Sequence, residues 1–350
     1  MRRTLSALAL ATTLTLTAAA QTPTAVPGSS GPYKLLANTR VGGEGGFDYV
    51  TADSVNRRLY VARSAVPPNG HIDVYNLDTL AFTGAIHGVS AHGAVVDAKY
   101  NHGFAASKPV VMFDAKTLAV LKTLDVKGNP DGYLADDFNH RVYILSHAAP
   151  NVTVIDAKDG NILGTIDLGG APEQAVTDGH GHLYIDIEDK NSIAVIDAKT
   201  MTMTGKYDVS SKGGGCAGLA IDAKHDILFA ACRDKKNMII LSAKEGHIIT
   251  DLPLGAGTDG AAFNPKTMEA FSSQGDGTLT VIKEKSPTSF VVEQTVTTPT
   301  RAKTLTLDQK TGRIYLITAT VIPPPATNPP NPRARGTMAP GSFSILTVGK

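Results

Sequence analysis

The chain has 350 residues, 42% of them hydrophobic and 19% charged, which is enough apolar material for a folded core and excludes wholesale disorder. Lys and Arg total 33 against 32 Asp and Glu, and a net charge of +1 argues against a nucleic-acid binder that works through a broad basic surface. Two cysteines exclude a disulfide-dense scaffold and leave room for one bridge.

The chain begins with a short basic start, Met1-Arg2-Arg3. An apolar run, Leu5 to Thr17, follows, and Ala18-Ala19-Ala20 then offers small residues ahead of Gln21. This order reads as a secretory signal peptide over residues 1–20 and predicts a periplasmic or secreted protein. The apolar run is short and Thr-rich for a bilayer span, and no later stretch reaches spanning length, so no membrane span is expected. Loss of the leader removes Arg2 and Arg3 and takes the net charge to −1. Residues 21–32, QTPTAVPGSSGP, read as a flexible linker.

From residue 33 to 350 the chain is one repeat. An anchor Asp, once Asn, recurs after a short apolar strand and before a turn: Asp53, Asp97, Asp136, Asp178, Asp222, Asn264 and Asp308, spaced by 44, 39, 42, 44, 42 and 44 residues. A β-rich triplet follows most anchors, as in Leu59-Tyr60-Val61, Val142-Tyr143-Ile144 and Ile314-Tyr315-Leu316. It is degraded to Gly103-Phe104-Ala105 in the second copy and to Ala270-Phe271-Ser272 in the sixth. A third strand ends in an Asp-Ala-Lys turn at 114–116, 156–158 and 197–199, and a fourth is often closed by Gly, as at Gly164–Gly169. Four short strands per unit at this period predict propeller blades, because one such sheet cannot bury both of its faces alone. Seven anchors predict an all-β, seven-bladed β-propeller of four-stranded blades. The last copy ends at its third strand, Phe343 to Val348, and an orphan strand, Tyr33 to Val41, precedes the first. Pairing the two completes the last blade and closes the ring, which removes two sheet edges.

These residues resemble the YVTN-repeat β-propeller family, which includes YncE-like periplasmic proteins. The resemblance rests on the apolar-Tyr-Val/Ile triplets, on Val195-Ile196-Asp197-Ala198-Lys199-Thr200 and its relatives, and on the Gly-closed strands. The eponymous tetrapeptide is not preserved; Tyr60-Val61-Ala62-Arg63 comes nearest. The resemblance implies the fold and leaves the activity open. The wider superfamily holds subunits of quinone-dependent amine dehydrogenases, lactonases and a copper-containing reductase, each with its own site.

The resemblance also implies that the loops entering the innermost strands form the binding face. The residue five before each anchor is Asp48, His92, Asp131, Glu173, Ala217, Asp259 and Lys303. Two readings of this ring stand side by side. Asp48, His92, Asp131, Glu173 and Asp259 converge on a divalent cation or on a cationic or hydroxylated ligand, since carboxylates and an imidazole are suitable donors. Otherwise the polar residues only solvate a wet channel, with Asp131-Gly132 and Asp259-Gly260 serving as turns. Two insertions, Arg63 to Gly70 and the Pro-rich Val321 to Gly341 with Arg333 and Arg335, fall on the same face as a lid, a partner-docking lip or a tolerated excursion.

Cys216 and Cys232 flank one hairpin nearly symmetrically, so they stand as a disulfide or as two buried thiols. His180-Gly181-His182 lies in a turn of the fourth copy on the opposite face, and His140 and His225 occupy the same turn in other copies. Cys-x-x-Cys, His-Glu-x-x-His, Gly-x-Ser-x-Gly and a phosphate-cradling loop are all absent from the sequence, so covalent haem and a serine-hydrolase triad have no anchor. The functional expectation is a monomeric binding or scaffold protein that takes a small ligand or protein partner at the channel mouth. The alternative is a metal-dependent enzyme of lactonase or oxidoreductase type built on the same ring.

Overall fold

Each repeat folds as a four-stranded antiparallel meander, and seven such blades follow in chain order. The computed structural model describes residues 30–65, 69–324 and 336–350. The innermost strands of blades 1 to 7 are Val50–Asp53, Ala91–Asp97, Pro130–Asp136, Pro172–Thr177, Cys216–Asp222, Thr258–Asn264 and Leu305–Leu307. Each of blades 1 to 6 continues outward through three further strands. The last blade has the order Leu305–Leu307, Ile314–Thr318, Ser344–Gly349, Lys34–Arg40. The N-terminal strand therefore pairs antiparallel with the C-terminal one, from Lys34 opposite Gly349 to Arg40 opposite Ser344. The expected ring closure holds.

The anchors mark the repeat because each organises its own turn. The Asp53 carboxylate accepts the N–H groups of Val55 and Asn56 at 3.1 and 2.9 Å. Asp97, Asp222 and Asp308 do the same for Tyr100, Lys224 and Lys310 at 2.9, 3.0 and 3.1 Å. A short side chain that bonds the backbone two or three residues on fixes a tight turn locally. Four residues after most anchors the backbone turns left-handed, at Arg57, Asn101, His140, Asp226 and Met268.

The core lies between blades. Seven buried apolar clusters occupy the seven inter-blade interfaces; Tyr143, Leu145, Leu183 and Ile185, for example, join blades 3 and 4. Each large side chain taken out of water there contributes about 1.5–3 kcal/mol. The Gly103-Phe104-Ala105 segment is a full strand, His102–Ser107, despite its weak β-propensity. The Phe113 ring fills the space over Gly103, where a Cβ would fall 2.1 Å from it. Packing from the neighbouring strand overrides propensity.

The blade 7 insertion starts and ends as a two-stranded ribbon, Val321–Ile322 against Thr337–Met338. Arg333, Arg335, the centre of the Arg63 to Gly70 insertion, the segment expected to be a signal peptide and most of the expected linker lie outside the described residues. Among the described residues, no helix is long and apolar enough to cross a membrane.

Candidate functional site at the channel mouth

Five innermost strands carry a β-bulge near their first residues, between Ala91 and Ala94, Pro130 and Tyr133, Pro172 and Ala175, Cys216 and Gly218, and Thr258 and Gly260. His92, Asp131, Glu173, Ala217 and Asp259 are the residues inside those bulges. A bulge bends its strand and re-aims a side chain. Asp48 and Lys303 stand two residues before the shorter innermost strands of blades 1 and 7. Asp131-Gly132 and Asp259-Gly260 are thus strand bulges and not the turns one sequence reading assigned to them. Two glycines of the bulged strands answer a close approach: a Cβ on Gly132 would lie 2.6 Å from the Glu173 carbonyl oxygen, and one on Gly218 would lie 2.7 Å from the Gly260 carbonyl carbon.

A second set of side chains rises from the residues that follow the second strands. His147 follows Arg141–Ser146, Glu188 follows His182–Ile187, and Arg233 follows Ile227–Cys232. The two sets form a closed circuit. Lys303 Nζ stands 3.7 Å from Asp48, which lies 2.9 Å from His92 Nδ1. The same nitrogen is 2.8 Å from Asp131 Oδ1. Asp131 Oδ2 is 3.0 Å from His147 Nε2, which stands 3.6 Å from Glu173. Glu188 adjoins Glu173 and acts on its carboxyl, Glu188 pairs with Arg233, Arg233 pairs with Asp259, and Asp259 returns to Lys303.

The electrostatics follow from this order. Hydrogen bonds to Asp131 and then to Asp48 raise His92 to about 10. His147 is raised as well, chiefly by Asp131. Burial opposes ionisation of Asp131, yet the His147 and His92 imidazoles hold it well below the ordinary carboxylate range. Burial, reinforced by the adjoining Glu188, pushes Glu173 up to about 8. Glu173–Glu188 is the one link of the circuit where two acids meet with no cation between them.

Below the circuit the channel is floored. Tyr49 OH donates to Glu173 Oε2 at 3.3 Å, and Tyr133 OH meets Thr51 Oγ1 at 2.7 Å. The Tyr49 and Tyr133 rings pack edge to face with centroids 5.5 Å apart. Gln174 spans from blade 4 to the backbones of Leu219 and Ala261. Beneath lies a mostly apolar cavity of about 400 Å³ lined by the innermost strands. Beside Lys303 a cleft of about 500 Å³ opens along Gly45, Phe47, Gly257, Gly275, Arg301 and Met338.

No protein-family model and no curated protein matches the chain. Its structure is similar to a chain in the crystal structure of the mitotic checkpoint complex, with a TM-score of 0.68 at 12% identity over 97% of this chain and 99% of that one. It is also similar to the structure of U3-55K, with a TM-score of 0.69 at 9% identity over 90% and 99% of the two chains. The likeness is one of fold. It supports the seven-bladed propeller and says nothing of the YVTN-repeat family or of what the mouth binds.

Of the residues singled out in the sequence, Asp48, His92, Asp131 and Glu173 come together. Asp48, His92 and Asp131 offer ligand atoms within 4.8 Å of one another, and so do Asp131, His147 and Glu173. Asp259 stands apart, between Arg233 and Lys303. Ala217 contributes no charge. Cys216 lies opposite Cys232 in the blade 5 hairpin, and the two are bonded. His182 pairs at 2.8 Å with Asp178, the anchor of its own turn. Sequence reasoning missed His147, Glu188 and Arg233. Their signal is a second fixed offset, eleven residues after Asp136 and Asp222 and ten after Asp178.

Proposed function

We propose that this propeller is an exported binding or scaffold protein whose channel-mouth basin receives a cationic group. The group is the amine or guanidinium of a small ligand or of a partner's side chain. The observation that carries the reading is the Glu173–Glu188 link. Elsewhere the circuit alternates acid and base, so each charge is neutralised where it stands. Here two acids share a proton at the rim of a floored basin, and an incoming cation replaces that proton while hydroxyl groups reach Asp131 and Tyr49. Fixed charges and a closed floor favour such exchange because little has to be reorganised on binding. Export is supported by the basic-apolar-small N-terminus and by the Cys216–Cys232 bond, which suits an oxidising compartment.

Putrescine and L-arginine are suitable probes, with thermal melting as the readout. The reading expects both to raise the melting temperature of the wild type and to lose that effect in the Glu173→Gln/Glu188→Gln double variant. Equal shifts in both proteins would remove the basin from the binding site.

The second reading, a metal-dependent enzyme, is favoured by the two donor groups that share Asp131. Its mark is a stoichiometric divalent ion lost in the Asp131→Asn variant, with an activity that chelation abolishes.

A further inference from the structure

The face opposite the mouth carries a separate cluster. Asp222 ends the innermost strand of blade 5, His225 lies in the turn after it, and Glu284 comes from the blade 6 strand Thr278–Ser286. His225 Nδ1 is 2.7 Å from Asp222 Oδ2 and 3.0 Å from Glu284 Oε1. The ligand atoms of the three residues lie within 4.8 Å of one another. Asp222 and Glu284 are each 2% exposed, whereas His225 reaches the surface. No N–H or O–H donor reaches Glu284 Oε2, and the Asp222 carboxyl lies beside it.

The repeat itself shows that Glu284 is out of place. Its N–H donates at 2.9 Å to the carbonyl of Met268, the left-handed residue of the blade 6 turn. In blades 1 to 5 the same bond is made by Leu77, Ala115, Ala157, Ala198 and Ala243. All five of those side chains are apolar and at most 1% exposed. The fold therefore fills this position with an apolar side chain, four times alanine and once leucine, wherever it needs only packing. A buried carboxylate costs free energy there unless a cation compensates it, and one imidazole faces two acids.

We propose that Asp222, His225 and Glu284 form a binding site for a divalent transition-metal cation of zinc's class, joining blade 5 to blade 6. One imidazole and two carboxylates suit a borderline cation better than calcium, which takes six or more oxygens. With no donor bonded to it, Oε2 keeps a free lone pair. Water completes the coordination on the exposed side of His225. The site is independent of the mouth and of the function proposed for it.

The test is zinc content after loading with zinc sulfate and dialysis, alongside thermal melting with and without zinc, on the mature protein. Glu284→Ala restores the residue type of Ala243, and His225→Asn restores that of Asn139 at the matching turn position. The wild type is expected to hold one zinc equivalent more than either variant, and to show a zinc-dependent rise in melting temperature that both variants lack. Asp131→Asn, which alters both mouth clusters, is expected to keep this equivalent. Equal zinc content in the wild type and both variants, or none in the wild type, overturns the proposal. His225→Asn leaves the blade interior untouched, so it reports even where Glu284→Ala disturbs packing.

Discussion

The carboxamide of Gln174 and the backbone of Ala261 hold each other in both directions across the channel. Nε2 donates to the Ala261 carbonyl at 3.0 Å, and Oε1 accepts the Ala261 N–H at 3.1 Å. The same Oε1 accepts the Leu219 N–H at 3.0 Å. In the other four bulged strands the matching position is glycine, at Gly93, Gly132, Gly218 and Gly260. Gln174 thus ties blade 4 to blades 5 and 6 where the other copies make room.

Gln174→Gly follows from that contact as a loss of stability without loss of fold. The change restores the repeat's own residue and leaves two N–H groups and one carbonyl facing the channel. Each bond contributes about 0.5–1.5 kcal/mol net, and water entering the channel offsets part of the loss. Urea unfolding should therefore show a decrease of about 1–3 kcal/mol with an unchanged slope. An unchanged midpoint would mean that channel water serves these groups as well as the side chain does.

Glu173 gives the mouth a pH dependence of known sign. In the unfolded chain its proton leaves near 4.5, and in the folded protein near 8. Between those values the native state holds more protons than the unfolded state, so this group's contribution to stability falls as pH rises. Melting temperature measured from about pH 4.5 to about pH 8 in the presence of a chelator should decline more steeply for the wild type than for Glu173→Gln. His92 acts in a different window. Its pKa is raised to about 10, so its contribution is complete below about 6.5 and disappears as pH rises through 10. A steeper decline in Glu173→Gln than in the wild type would contradict the assignment.

The Cys216–Cys232 bond supports one member of the circuit directly. It closes a loop with a sequence separation of 16 at the mouth end of blade 5, and Arg233 follows at once, its N–H donating to the Gly215 carbonyl at 3.1 Å. A loop of this length corresponds to about 3 kcal/mol in the chain-entropy account. Cys216→Ser/Cys232→Ser should lower unfolding free energy by about that amount. It should also weaken any ligand response that needs Arg233. Full retention of both would show that the hairpin register alone positions the arginine.

How much of this was legible in the sequence depends on whether the cause of each feature is local. Asp53, Asp97 and Asp222 bond their own turns, so the repeat leaves its mark at a fixed spacing, and the number of blades and the closing strand can be read from it. Asp48, His92, Asp131 and Glu173 were found for the same reason, by offset from those turns. The bulges were not legible, because Gly132 is required by the Glu173 carbonyl of the next blade. His147, Glu188 and Arg233 arrive from the ends of second strands, and only the closed ring brings them against the first set. The mouth's charge balance is therefore a property of the assembled propeller.

Gly93 illustrates that dependence and yields a sharp test. A Cβ there would fall 2.3 Å from the Tyr133 ring, which belongs to the next blade. The ring has no free direction to yield: it bonds Thr51 through its hydroxyl and packs against Tyr49, whose own hydroxyl supports Glu173. Gly93→Ala should therefore cost about 1–3 kcal/mol, the range for overpacking a filled site. Tyr133→Leu removes the clashing ring and costs stability for a different reason, the loss of the Thr51 bond and of aromatic packing. If the clash is the cause, the double variant loses less than the two single losses combined, because the methyl group then enters space the ring has left. Strict additivity in urea unfolding would mean that Gly93 is constrained by something other than Tyr133, and that the channel floor is not set by contact between neighbouring innermost strands.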